Sequence, residues 1–168
     1  RPEDLFLIRE GAAARRKFLD TALCQLRPRY AAALTEYNRL YEHKTRILRD
    51  SEERPDLLAA LPDFNEQMVR FGAVLIHYRA QFAQALGKYA AVHHRECSGG
   101  KETLEICYQT VSSVTDPLGD LAVVTGQLRE HMERHQTAER ASRLCLSGPH
   151  KDDLSVTING KDAKMYAS

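Results

Sequence analysis

Apolar residues recur at helical spacing along most of the chain. Phe18, Leu19, Ala22, Leu23 and Leu26 lie on one helical face, which predicts a helix from Ala12. It ends at Arg27, because the residue before Pro28 is pushed out of the α conformation. Pro28 is tolerated at a first helical position and opens a second predicted helix, running to about Asp50 with Tyr30, Leu34, Tyr37 and Tyr41 on one face. Ser51 to Pro62 breaks the pattern, with room for one helical turn around Leu57–Ala60. Then Phe64, Met68, Phe71, Leu75, Tyr78, Phe82, Ala85, Tyr89 and Val92 alternate spacings of four and three, a heptad seam of about four heptads. Asp63 is the predicted N-cap, with Glu66 completing a capping box. A helix from Asp63 to about Glu96 would be roughly 50 Å long, and the Pro28–Asp50 helix is its predicted antiparallel partner. Ser98-Gly99-Gly100 ends it.

Period-two alternation marks the other elements. Pro2-Glu3-Asp4 reads as a short turn before a strand at Leu5–Ile8; a one-turn helix capped by Glu3 and Asp4 is the alternative. Leu104, Ile106 and Tyr108 alternate with polar neighbours in a strand, Leu104–Thr110. Thr115-Asp116-Pro117 starts a helix through Leu118, Leu121, Val124 and Leu128 to about Arg140. Asn159-Gly160 is a strong type I′ hairpin signal, joining strands Asp153–Ile158 and Ala163–Ala167. Met165 and Ala167 flank Tyr166 on the return strand. The chain stops at Ser168 in or just past that strand, so the expectation is a piece of a longer protein. The predicted class is α+β, mainly α: an antiparallel, coiled-coil-like helical arm with a small antiparallel β element near the C-terminus.

Composition narrows the function classes. With 168 residues, 43% hydrophobic and 28% charged, the chain can bury a real core and is neither a disordered tail nor a membrane protein. No apolar run approaches the roughly 18–20 residues that span a bilayer. A net charge of +1, from 24 basic and 23 acidic residues, gives no global case for nucleic acid, so a DNA contact needs a local patch. Basic residues gather near the end of the second helix, at Arg39, His43, Lys44, Arg46 and Arg49. Cys24, Cys97, Cys107 and Cys145 form no C-x-x-C, and three have apolar settings; buried free thiols are expected.

Candidate chemistry is sparse. Gly100-Lys101 is not a P-loop, because Arg95 stands where the first Gly belongs and Glu102 where Ser or Thr belongs. His131 and His135 have metal-compatible spacing, but Arg129, Glu130, Glu133 and Arg134 around them point to a solvated face. Asp152 and Asp153 would face opposite sides of a strand, and ion pairs with Lys151 and Lys161 are expected for them. Arg15 and Arg16 occupy the first turn of their helix, the unfavourable end for cations, which implies a partner such as Glu10, Asp20, a phosphate or a neighbouring domain. No catalytic triad, activated Cys-His pair or metal set emerges.

Two runs carry a family resemblance. Gly148-Pro149-His150-Lys151-Asp152-Asp153, followed by Ile158-Asn159-Gly160 and then Ser168, resembles the segment before the ATPase signature of the RecF family of bacterial recombination and gap-repair proteins. Pro2 to Ile8 (PEDLFLI) and Arg15 to Asp20 (RRKFLD) resemble that family's PEDL…RR-x-FLD run. The chain departs from the family at Ala12, where a Pro is usual, and at His43-Lys44-Thr45, where Q-R-N is usual. The resemblance implies an SMC-like, ABC-type ATPase of the bacterial cytoplasm, active in DNA replication, recombination, repair and the SOS response. It implies residues 1–27 as the exit from the ATPase head with the first helix, 28–100 as the arm, and 101–168 as the strand, helix and hairpin rejoining the head. Glu3 and Asp4 would then lie near the head, and His150 near a nucleotide or a facing subunit. ATP and Mg2+ belong to the parent protein, with no cofactor or catalytic activity expected of this piece, since its Walker and signature motifs are missing. Implied partners are DNA at single-strand/double-strand junctions, RecR and RecO in loading RecA, and a second parent subunit in an ATP-dependent homodimer. The arm is read as a DNA wall using Arg39, Lys44, Arg46 and Arg49, as a RecR-docking surface, or as a helical structural module without a nucleic-acid role.

Overall fold

The computed structural model describes residues 2–163, and of residues 2–5 the backbone alone. The expected return strand falls largely on 164–167, outside the described residues. The described elements are α1 (Pro2–Arg9), α2 (Ala12–Leu26), α3 (Pro28–Asp50), a 3-10 turn (Pro55–Ala60), α4 (Leu61–Ser98), β1 (Leu104–Gln109), α5 (Leu121–Arg134), α6 (Gln136–Ser142), a 3-10 turn (Pro149–Lys151), β2 (Asp153–Ile158) and β3 (Lys161–Asp162).

The α3 helix has the predicted bounds, with Arg27 extended at φ −138° before Pro28. It runs antiparallel to α4: Tyr30 meets Tyr78 edge-on at 6.0 Å, while His43, further along α3, meets Phe64, nearer the start of α4. The α5 helix also packs on α4, with Arg129 reaching Glu66 and the Leu128 side chain lying against Gly72. A main core, including Tyr30, Tyr37, Met68, Leu75, Val124 and Leu128, fills the space among the three. Gly72 sits where they converge: a Cβ there would stand 3.2 Å from atoms of Tyr37, Leu128 and Pro149.

Beyond Phe82 the same long helix changes partner. Ala83 and Ala90 are buried against the sheet with Leu104, Leu154, Val156 and Ile158. A Cβ on Gly87 would come 3.4 Å from the Ile106 carbonyl oxygen. Tyr89 and Val92, expected in the seam, are 57% and 61% exposed. The α4 stripe therefore does not stay a four-heptad coiled coil. The sheet is antiparallel in the order β1-β2-β3, with Leu104 opposite Ile158 and Gln109 opposite Asp153. Its hairpin turns on Asn159 and Gly160, at φ 53° and 78°, as a I′ turn requires, and β3 starts at Lys161.

Other boundaries correct the expectations. Leu5–Ile8 belongs to helix α1, of which Leu7 is buried and Phe6 exposed; a four-residue apolar run cannot by itself tell strand from helix. The 3-10 turn runs directly into α4, so Asp63 is inside the first turn, no side chain caps the helix, and Glu66 pairs with Arg129 instead. The α5 helix starts only at Leu121, capped by Asp120, whose carboxylate accepts the Ala122 N–H at 3.0 Å. His135 breaks it from α6. Of the cysteines, Cys97 and Cys107 are exposed, Cys24 is half-buried and Cys145 is buried, so two of the expected buried thiols lie at the surface.

Candidate functional site

The two sequence runs that carry the resemblance meet in space. Arg15, 5% exposed, grips the Asp153 carboxylate through Nε (2.6 Å) and Nη2 (3.0 Å). Its Nη1 also donates to the Leu7 carbonyl (3.1 Å) and to that of Glu10, serving the C-terminal end of α1. Arg16 donates to the Asp152 carbonyl at 2.9 Å. The hydrogen bond that Arg15 donates to Asp153 raises the Arg15 pKa, while on Asp153 the Arg15 contacts outweigh burial and hold the carboxyl below its usual range. These contacts explain two cations in a helix's first turn, and they replace the expected pairs with Glu10, Asp20, Lys151 and Lys161. Asp152 and Asp153 do face apart: Asp152 is 2% exposed and accepts the Tyr108 hydroxyl at 2.5 Å.

Gly148 begins the loop at φ 141°, and a Cβ there would collide with the Tyr37 hydroxyl, so only glycine suits the position. His150 is clamped by two bonds: Nδ1 meets the Tyr37 hydroxyl at 2.7 Å and Nε2 meets the Cys145 carbonyl at 2.8 Å. The carbonyl can only accept, so Nε2 carries the proton and Nδ1 accepts from Tyr37. Burial lowers the His150 pKa to about 4 and raises that of Asp152 to about 6. Both ring nitrogens of His150 are engaged within the chain, which does not fit a histidine free to reach a nucleotide or a facing subunit.

Arg79 lies at the centre of this junction and was missed in the sequence. It is 3% exposed. Its Nε donates to the Tyr30 hydroxyl (2.9 Å), Nη1 to the Pro149 carbonyl (2.8 Å) and the Tyr108 hydroxyl (3.2 Å), and Nη2 to Asp20 (2.9 Å). Tyr30 in turn donates to Asp20. One guanidinium thus joins α2, α3, α4, β1 and the Gly148–Asp152 loop. The available signal was a lone arginine between Tyr78 and Ala80 on an apolar stripe.

A second polar cluster lies further along α3. Lys44, 1% exposed, donates from Nζ to Glu139 at 2.8 Å, and the other Glu139 oxygen accepts the Leu146 N–H at 2.8 Å. Lys44 is therefore not a surface phosphate contact. Arg39, Arg46 and Arg49 are exposed, with Arg39 paired to Glu36 and Arg49 to Asp50. His131 is 8% exposed, not solvated: Nδ1 meets the Ser147 hydroxyl at 2.6 Å and its ring stacks on His135 at 3.9 Å. Burial, then His135, lowers its pKa. Among the described residues no cluster of three His, Cys, Asp or Glu is placed to hold a metal ion. Glu3 and Asp4 lie in α1, with their side chains outside the description. Lys151 is exposed beside the buried Asp152.

No family model matches the chain. It is 34% identical over 167 residues to the DNA replication and repair protein RecF of Symbiobacterium thermophilum, covering 99% of this chain and 44% of that protein. It is 35% identical to the RecF of Lachnoclostridium phytofermentans, over 99% of this chain and 43% of that protein. A solved structure of the recombination mediator protein RecF with ATPrS, in the RecFOR pathway, superposes with a TM-score of 0.89 at 27% identity, over 100% of this chain and 44% of that one. The corresponding RecF–ATP structure gives 0.85 at the same identity and coverage. The chain thus spans less than half the length of the relatives it matches. Among the described residues no helix is long and apolar enough to cross a membrane. Sequence and fold agree: over its whole length this chain is RecF-like, matching a segment of that DNA replication and repair protein.

Proposed function

We propose that the chain serves a RecF-type DNA-repair ATPase as a rigid, non-catalytic contact arm. The observation that supports this reading is the Arg79–Arg15–Asp152–Asp153 junction. It ties the three-helix core to the sheet, so any movement imposed on the sheet carries the helices with it. ATP and Mg2+ would act elsewhere in the whole protein, in an ATP-dependent homodimer, and the arm would transmit the nucleotide state to a partner.

The DNA-facing surface in this reading is the exposed stripe of Arg39, Arg46 and Arg49 on α3. Exposed ion pairs such as Arg39–Glu36 and Arg49–Asp50 are worth only about 0–1 kcal/mol, so a phosphate displaces them at little cost. RecR and RecO would approach other faces. The test is binding of the 168-residue chain to a labelled gapped duplex at low and near-physiological salt. Affinity that falls steeply with salt, by about one counterion per phosphate met, supports the DNA contact. Absence of binding at low salt rejects it and leaves RecR as the arm's partner.

A further inference from the structure

A trough of about 720 Å³ runs along the arm between α3 and α5. Both helices pack against α4 and scarcely against each other, so α4 forms its floor. The floor is apolar, with Phe71 and Val74 from α4, Ala33 from α3 and Leu121 from α5. Its rim is basic, with Arg29, Arg70 and Arg129 against one acid, Glu36. Arg129 is committed to Glu66, and Glu36 to Arg39. Arg29 and Arg70 are exposed, and among the described residues their side chains form no hydrogen bond or ion pair.

We propose that this trough receives an amphipathic helix of a partner protein, its apolar face on Phe71, Val74 and Leu121 and its acidic flanks on Arg29 and Arg70. The geometry fits one guest helix. The trough extends along α3 from Arg29 to Glu36 and along α5 from Leu121 to Arg129, which is about two helical turns on each side. A helix laid there would stand opposite α4 and complete a four-helix arrangement from the three present. Apolar anchors at i, i+3 or i+4 and i+7 would reach the floor, as in other helix-in-groove complexes. The charge is complementary to an acidic guest, because the rim holds three arginines against one acid, and Arg70, although it interacts with the Glu66 charge, shares that carboxylate with Arg129. A nucleic-acid backbone is disfavoured by the apolar floor, which offers phosphates nothing to bind. The inference is separable from the DNA contact: Arg39 borders the trough through its ion pair with Glu36, but none of Arg39, Arg46 and Arg49 lines it, so failure of the peptide to bind would leave that reading intact.

The test uses a fluorescein-labelled peptide of about four helical turns, with leucines at helical a and d spacing and Asp or Glu beside them. Two controls are the same peptide with Lys in place of each acid, and a peptide of equal composition with its leucines scrambled. Anisotropy with the 168-residue chain should show binding of the acidic peptide alone. R29E/R70E should weaken the acidic peptide at least about tenfold and give the lysine peptide measurable affinity, since an attractive pair becomes repulsive. Both positions are exposed, and a Glu near the start of α3 favours the helix, so the variant should fold. Ala122→Tyr, exposed in the first turn of α5, should block the trough independently by filling it. The proposal is overturned if the acidic peptide does not bind at millimolar concentration, if the lysine or scrambled peptide binds equally, or if neither variant changes binding. It is also overturned if a gapped duplex displaces the peptide from Arg29 and Arg70, or if the chain self-associates through this face.

Discussion

Two of the buried basic side chains, Arg79 and Lys44, are held differently. Arg79 spreads four hydrogen bonds over Tyr30, Tyr108, Asp20 and the Pro149 carbonyl, joining five parts of the fold. Lys44 presents a point charge to one carboxylate, Glu139, which in turn holds the Leu146 N–H. A fixed guanidinium fork can organise several elements at once, whereas an ammonium neutralises one partner. The Arg79 site is therefore an organising junction between sheet and helices, and the Lys44 site a local closure of the chain around α6.

The largest expected effect comes from breaking the junction. Arg79→Met should cost about 3–5 kcal/mol in urea unfolding, because Asp20 and the Pro149 carbonyl lose a buried donor. Adding Asp20→Asn should recover little, since Tyr30, Tyr108 and Pro149 remain unserved. The Lys44 site should behave in the opposite way. Lys44→Met alone should cost about 3 kcal/mol by leaving Glu139 buried and unpaired, and Lys44→Met with Glu139→Gln should recover more than half, because Gln still accepts the Leu146 N–H. Equal recovery at the two sites would remove the distinction.

Acid titration sharpens the same comparison, because the junction loop holds two groups shifted in opposite directions. His150 is lowered to about 4 by burial, so it contributes stability above its unfolded pKa near 6.5 that is lost as pH falls through 4. Asp152 is raised to about 6 from 3.8, so its contribution is present at low pH and is lost as pH rises through 6. Each amounts to about 3 kcal/mol, and between pH 4 and 6 the two slopes nearly cancel. In Asp152→Asn the difference from the unaltered chain should grow in the variant's favour as pH rises from 4 to 6.5, measured by denaturant midpoints. A parallel offset at every pH would show that Asp152 ionises normally in the fold.

The smallest stability effect belongs to the surface stripe. Arg39→Glu, Arg46→Glu and Arg49→Glu together should change stability by about 1 kcal/mol or less, since exposed ion pairs contribute little. The same triple variant should abolish salt-sensitive binding to the gapped duplex. Retained binding would put the DNA contact on another face.

Most helix boundaries were legible because local chemistry sets them: Pro28 separates α2 from α3, and Gly99 stops α4 in a left-handed turn. The heptad seam was legible only in part. Met68 and Leu75 are fully buried, but a straight helix drifts about 20° per heptad from a 3.5-residue repeat. Over the distance from Phe64 to Val92 that drift carries the stripe off the core, and the partner changes from helices to sheet. The small residues Ala83, Gly87 and Ala90 were the sign of a close backbone approach. The terminal motifs marked the right residues, but not that they bind each other; Arg15 and Asp153 are 138 positions apart, and no local pattern encodes such a pair. Lys44 and His131 were misplaced for a related reason. Their burial depends on Glu139 and Ser147, polar residues in later segments whose return to α3 and α5 only the tertiary fold reveals.

The claim that sheet and helices form one rigid body is tested most directly by native-state hydrogen exchange on the unaltered chain. The amides of Ile106 and Val156 in the sheet and of Leu40 and Ile76 in the helices should share one opening free energy, equal to that of global unfolding. A separate, lower-energy opening of β1 and β2, with the helices still protected, would contradict it.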